Sequence, residues 1–241
     1  MMRYVLLHSK YSIATVEMQS KEKYIICNRQ SISEIPNDIS NLFFGGYTIS
    51  SYQVYFLQSF LELKSIEIGN NCFQNVQKLI IDGLPHLERV IIHCGNFKSD
   101  TMKRQKKGYC RITNCPCLRE LSIYYDNFEY FKSFELSNVN SLQTIVIEYE
   151  CFQNVHNFVL DGLERLESVN IGEKCFLTGC KNPDDGLCRI TNCPNLHQLE
   201  IGNESFGGFK SFELSNVNSL QSIEFGNWCF YYAEDCSLKG E

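Results

Sequence analysis

Seven leucines set the frame of this chain: Leu63, Leu87, Leu118, Leu142, Leu166, Leu196 and Leu220, at successive spacings of 24, 31, 24, 24, 30 and 24. The recurrent spacing is the length of the unit, and the two longer ones mark short insertions, at 98–108 and 177–186. The insertions recur every third unit. A higher repeat of three units therefore runs from Leu63 to Leu142 and again from Leu142 to Leu220. "FKSFELSNVNSLQ" obeys it at 131–143 and 209–221, as does "CRITNCP" at 110–116 and 188–194. A fixed period of this kind implies units that bury their apolar faces only against neighbours.

The columns of the unit give its local structure. Three and five residues after the leucine the chain is apolar in every unit, as in Ile145/Ile147 and Leu199/Ile201. Alternation of this kind predicts a short strand with one face inward. Ten residues after the leucine every unit has Phe, from Phe73 to Phe230. Eight and six residues before it, pairs such as Phe134/Leu136 and Phe212/Leu214 predict a second strand. Four before, the column reads Gly83, Asn114, Asn138, Gly162, Asn192 and Asn216. Gly and Asn share a tolerance of positive φ, so a left-handed turn is expected. The alternative is a ladder of Asn side chains, which the two glycines would interrupt.

Ile39, Leu42 and Phe44 extend the pattern backwards, so the repeat region is expected over 31–241. Residues 1–30, with candidate strands at Tyr4–Leu7 and Tyr24–Cys27, form the expected N-terminal cap. Cys236, Leu238 and Gly240 match the start of a further, incomplete unit. No polar cap follows it, so either the chain is cut from a longer one or another molecule covers this end. The fold expected is a β-rich solenoid: a right-handed coil of about eight turns, two strands per turn, with little helix. At a strand spacing of about 4.8 Å it would be a rod roughly 40 Å long.

"NCPNLHQLEIG" at 192–202, "LESVNIG" at 166–172 and "LQSIEFG" at 220–226 resemble leucine-rich repeats. The Cys-Pro-x-Leu run at 193–196 is similar to the cysteine-containing subtype of ubiquitin-ligase adaptors. "IGNNCF" at 68–73 and "IGEKCF" at 171–176 look like the BspA-type repeats of protists. The usual Asn after the strand is replaced by Gly69, Gly172, Gly202 and Gly226, a departure from the plain horseshoe pattern. The resemblance implies a β-rich solenoid with a role in protein recognition.

The chain has 13 cysteines, and nine fall in repeat columns, among them Cys72, Cys110, Cys115, Cys151, Cys175, Cys188, Cys193 and Cys229. They are expected to be small core residues. Zinc-ligand spacing is missing, and an odd count without a secretory leader opposes a disulfide framework. Stacked cysteines such as Cys151 and Cys175 could still lie close enough to pair. Arg111 with Glu135, and Arg189 with Glu213, share one column in successive units and are expected to pair across strands. The five histidines have no nucleophile at a shared phase, and no phosphate-binding glycine loop occurs, so no enzyme activity and no cofactor are expected.

The expected function is a non-catalytic protein-binding scaffold. A substrate-recognition adaptor of a larger assembly such as a ubiquitin ligase, and a surface adhesin, are the alternatives. Candidate partner-binding residues are Lys103, Arg104, Lys106 and Lys107 in the basic insertion and Asp184 and Asp185 in the acidic one. Solvated loops and, for the basic one, a localisation signal are the other readings of these segments. Tyr124, Tyr149 and Trp228 are aromatic candidates outside the core columns. A net charge of −6 speaks against nucleic acid and membrane surfaces as partners. A protein is the expected partner, rather than a small molecule. With no apolar run long enough for a leader or a membrane span, a cytoplasmic location is expected.

Overall fold

A computed structural model describes residues 24–26, 35–45, 56–98, 108–177 and 186–239. Its regular secondary structure is almost entirely strand, in parallel sheets. Nine strands follow the leucine column or its equivalent: β1 (Tyr24–Ile26), β2 (Asn41–Phe44), β3 (Ser65–Ile68), β5 (Arg89–Ile92), β7 (Glu120–Ile123), β9 (Thr144–Ile147), β11 (Ser168–Ile171), β13 (Gln198–Ile201) and β15 (Ser222–Phe225). They form one sheet in that order. The register joins matching columns of successive units, as in Val169↔Ile145 and Val169↔Leu199.

The second strand of each unit lies between these: β4 (Lys78–Asp82), β6 (Gly108–Thr113), β8 (Phe131–Ser137), β10 (Asn157–Asp161), β12 (Gly186–Thr191), β14 (Phe209–Ser215) and β16 (Asp235–Lys239). They form a three-stranded sheet, β4-β6-β8, and a four-stranded sheet, β10-β12-β14-β16. The expected columns hold, but not one unbroken second sheet. The break falls between β8 and β10, and Leu136 beside it is only half-buried. In the first full unit a short 3-10 turn, Phe56–Ser59, replaces the second strand, and Leu57 still fills the core position. Tyr24–Ile26 is indeed a strand, and it extends the main sheet parallel to β2. Tyr4–Leu7 lies outside the described residues. Among the described residues no helix is long and apolar enough to cross a membrane.

The core lies between the sheets and is organised by the Phe column. Phe73, Phe97, Phe128, Phe152, Phe176, Phe206 and Phe230 stack in sequence, with ring centroids 4.5–5.3 Å apart and planes within 13° of parallel. That separation is close to the distance between neighbouring strands, so each ring rides on the ring of the previous unit. All seven also have positive φ, between 51° and 60°. The residue two positions earlier does too, from Asn71 to Trp228. The reason is hydrogen bonding in two directions. The N–H of Glu150 donates forward to the Glu173 carbonyl, and that of Phe152 donates back to the Asn127 carbonyl, both at 3.0 Å. Alternate left-handed residues aim these donors at opposite neighbours. The conformation costs about 1–2 kcal/mol per residue. Burying a Phe ring gains about 1.5–3 kcal/mol and an aromatic pair about 1 kcal/mol more, so burial wins.

The Gly/Asn column is left-handed at every expected position, with φ of 53–54° at Asn114, Asn138, Asn192 and Asn216, 70° at Gly83 and 67° at Gly162. The side-chain ladder is present as well. Asn138 Nδ2 donates to Asn114 Oδ1 at 2.8 Å, and Asn114 Nδ2 donates to Asp82 Oδ1 at 2.7 Å. The same bonds link Asn216, Asn192 and Asp161. Each glycine is thus bypassed by the aspartate before it, and the ladder runs three units long in both copies. Thr113 and Thr191 add hydroxyl donors to Asp82 and Asp161 at 2.8 Å. These donors hold both carboxyls below the usual carboxylate range.

Both insertions leave the unit at the same phase and return at a bulge, Gly108/Tyr109 and Gly186/Leu187. At Gly108 an added Cβ would lie 2.7 Å from the Phe131 ring, so only glycine lets the returning strand approach. Lys103, Arg104, Lys106, Lys107, Asp184 and Asp185 lie outside the described residues.

Candidate functional site

Two candidate aromatics stand just past the ends of adjacent main-sheet strands. Tyr124 directly follows β7, and Tyr149 comes two residues after β9. Six residues after each leucine the column reads Gly69, His93, Tyr124, Glu148, Gly172, Gly202 and Gly226. Large side chains therefore stand only in the middle units. His93 stacks on Tyr124 with centroids 5.3 Å apart, and its Nε2 lies 3.0 Å from Glu67 Oε1. Tyr125 is 52% exposed. The Glu148 carboxylate beside it, through its charge and then a hydrogen bond, raises the Tyr125 phenol above its ordinary value. Lys174 covers the Tyr149 ring at 5.5 Å and donates to its hydroxyl at 3.4 Å. The Tyr149 phenol is raised, first by its hydrogen bond to Glu150. The result is a strip over four successive units, from the His93–Tyr124 stack, through Tyr125 beside Glu148, to Tyr149 under Lys174.

Trp228 is elsewhere. It follows β15, three main-sheet strands beyond β9, and is 65% exposed. Its ring packs 5.3 Å from Tyr231, which meets Tyr232 edge-on at 4.9 Å. Trp228 stands in a column that is otherwise Asn71, Gly95, Asp126, Glu150, Lys174 and Glu204. That substitution of an aromatic for a polar or glycine residue is the signal that separates this cluster from the strip. His93 and Lys174, by contrast, were not singled out from sequence. The signal for His93 was the switch between large residues and glycine in its column. For Lys174 it was a lone cation in the Trp228 column, which is otherwise neutral or acidic.

The expected charge pairs form. Arg111 Nε donates to Glu135 at 2.8 Å, and Arg189 Nε to Glu213 at 2.8 Å, both across neighbouring strands. They are largely exposed and serve the sheet surface.

Eleven described cysteines are free. Cys110 and Cys188 are fully enclosed, and burial pushes both thiols well above their ordinary value. Cys115 and Cys193 are pushed up to about 11, mainly by burial. The cysteines before the Phe column are more than filler. Cys151 Sγ donates to the Tyr124 carbonyl at 2.9 Å and Cys175 Sγ to the Glu148 carbonyl at 2.8 Å. In the same column Ser205 donates to the Gly172 carbonyl at 2.7 Å, and Asn127 to the Tyr124 carbonyl at 2.6 Å. What the column requires is a small donor, which explains its mixture of Cys, Ser and Asn. Cys236 departs from the core expectation: it is exposed, because among the described residues no strand covers β16 on its outer side.

Among the described residues no group of three His, Cys, Asp or Glu side chains is placed to hold a metal. Comparison with protein-family models, with curated proteins and with solved structures finds no match.

Proposed function

We propose that the chain is a non-catalytic protein-binding scaffold, built as a right-handed leucine-rich-repeat-like solenoid of about eight coils. The observation that carries this reading is the strip from His93 to Lys174. The exposed Tyr125 and Tyr149, with the half-buried Tyr124 between His93 and the strand end, are of the residue type enriched at protein interfaces. Parallel strands fix the spacing of these side chains, so little freedom is lost on binding. A protein partner fits this surface and the net charge of −6 better than a nucleic acid does. A cytoplasmic location accords with the free thiols, which reducing compartments preserve.

The test is affinity purification from the native organism with the wild-type chain and with a Tyr124→Ala/Tyr149→Ala variant, matched for circular dichroism. The account expects a protein retained by the wild type and lost from the variant. Identical retention by both would remove the strip from the function.

A further inference from the structure

Among the described residues, nothing covers the core-type side chains on the outer edge of β15 and β16. Ile223 is 40%, Phe225 45% and Leu238 67% exposed, whereas the equivalent Ile145, Ile147 and Leu160 are buried. With Leu214, Val217 and Leu220, Ile223 and Leu238 line an open cleft of about 420 Å³. Trp228, Tyr231 and Tyr232 stand in the turn that joins β15 to β16, outside this cleft. At 150–250 Å² per aromatic side chain, the exposed fractions of Phe225, Trp228, Tyr231 and Tyr232 amount to roughly 400 Å². A stable interface needs about 800 Å² per partner, so these four alone supply half.

The sequences of the two edge strands say what fits there. β16 reads Asp-Cys-Ser-Leu-Lys from Asp235 to Lys239. Turned about a twofold axis through Ser237 and paired antiparallel with itself, it places Asp235 opposite Lys239 and Cys236 opposite Leu238. β15 obeys the same operation. Leu238 and Ile223 share the cleft, and Phe212, aligned with Cys236 in the sheet, touches Phe225 at 5.6 Å. Ser237 is therefore level with Glu224 across the core. An axis through both sets Ile223 opposite Phe225, an aromatic and β-branched pair of the favoured kind. It also carries the loop of Trp228 and Tyr231 over the half-buried Val217 and Leu220 of the other copy. The one mismatch is Glu224 opposite itself.

We propose that this edge binds a second copy of the chain, joining both sheets across a twofold axis through Glu224 and Ser237. The interface is isologous and closes at two, so it does not propagate. It leaves the strip at Tyr124 and Tyr149 open, and does not depend on the function proposed for it.

Sedimentation velocity on the whole chain tests the proposal. The wild type is expected at twice the 27.9 kDa chain mass at micromolar concentration. Asp235→Lys turns two attractive pairs into repulsive ones and should weaken the dimer about tenfold. Adding Lys239→Asp should restore it. Glu224→Gln should tighten it, and Leu238→Lys, at a position already exposed, should give monomers without loss of fold. Ser237→Cys in a Cys236→Ser background should oxidise to a covalent dimer, because the axis places the two residues face to face. A wild type that stays monomeric at 100-fold higher concentration overturns the proposal. So does a dimer indifferent to Asp235→Lys and Leu238→Lys.

Discussion

At Phe152 the backbone and the side chain ask for different residues, and that conflict can be measured. The ring is fully buried, stacked 4.6 Å from Phe128 and 5.3 Å from Phe176, while φ is 55°. Phe152→Ala should cost about 3–5 kcal/mol, the range for removing a buried aromatic ring. The further step from Ala to Gly separates the two demands. At an ordinary strand position it costs about 0.5–1 kcal/mol in backbone entropy. At Phe152 it also relieves about 1–2 kcal/mol of left-handed strain that any Cβ imposes. Phe158 is the control: it is equally buried, lies within β10 and is not among the positive-φ residues. The Ala-to-Gly step at Phe152 should therefore be about 1–2 kcal/mol more favourable than at Phe158. Equilibrium urea unfolding of the four variants reads this directly, provided their m-values agree. An equal cost at both sites would refute the claim that the Phe column is held against its backbone preference.

Other expectations follow from the side-chain ladders and the thiols. Asp82 and Asp161 have folded pKa values below the ordinary one, so their contribution is present above the unfolded value of about 3.9 and is lost as pH falls through the folded value. An Asp82→Asn/Asp161→Asn variant should be less stable than the wild type at pH 6, and urea midpoints should converge as pH drops below 4; a constant gap would contradict this. In the native protein Cys236 should react with a thiol reagent far faster than Cys110 and Cys188, which should wait for unfolding; mass spectrometry of labelled peptides gives the order.

Much of the fold was legible because each column repeats from unit to unit, and a single exception does not hide it. The two strands, the left-handed Gly/Asn turn and the Arg–Glu pairs all follow from column chemistry. The left-handed Phe did not, since Phe on its own signals burial and nothing about φ. The Asp–Asn ladder was hidden because the aspartate sits one column away from the asparagines it joins. The identical stretches at 131–143 and 209–221 show a further limit. Val139 and Leu142 are fully buried, yet Val217 and Leu220 are half-exposed. The letters are the same; a neighbouring unit covers only the first pair. Tyr124 and Tyr149 were visible as aromatics outside the core columns. Their partners His93 and Lys174 emerged only once the units were stacked, because these contacts join residues a whole unit apart in sequence.

The central claim is that each unit is held by its neighbours alone, so a whole block is removable. Deleting residues 131–208 joins Tyr130 to Phe209 and removes one full higher repeat. β6 then meets β14, whose sequence is identical to that of its native neighbour β8. The account predicts a shorter protein with an unchanged β-type circular dichroism per residue and cooperative unfolding at a lower urea midpoint. An unfolded or aggregated product would contradict it.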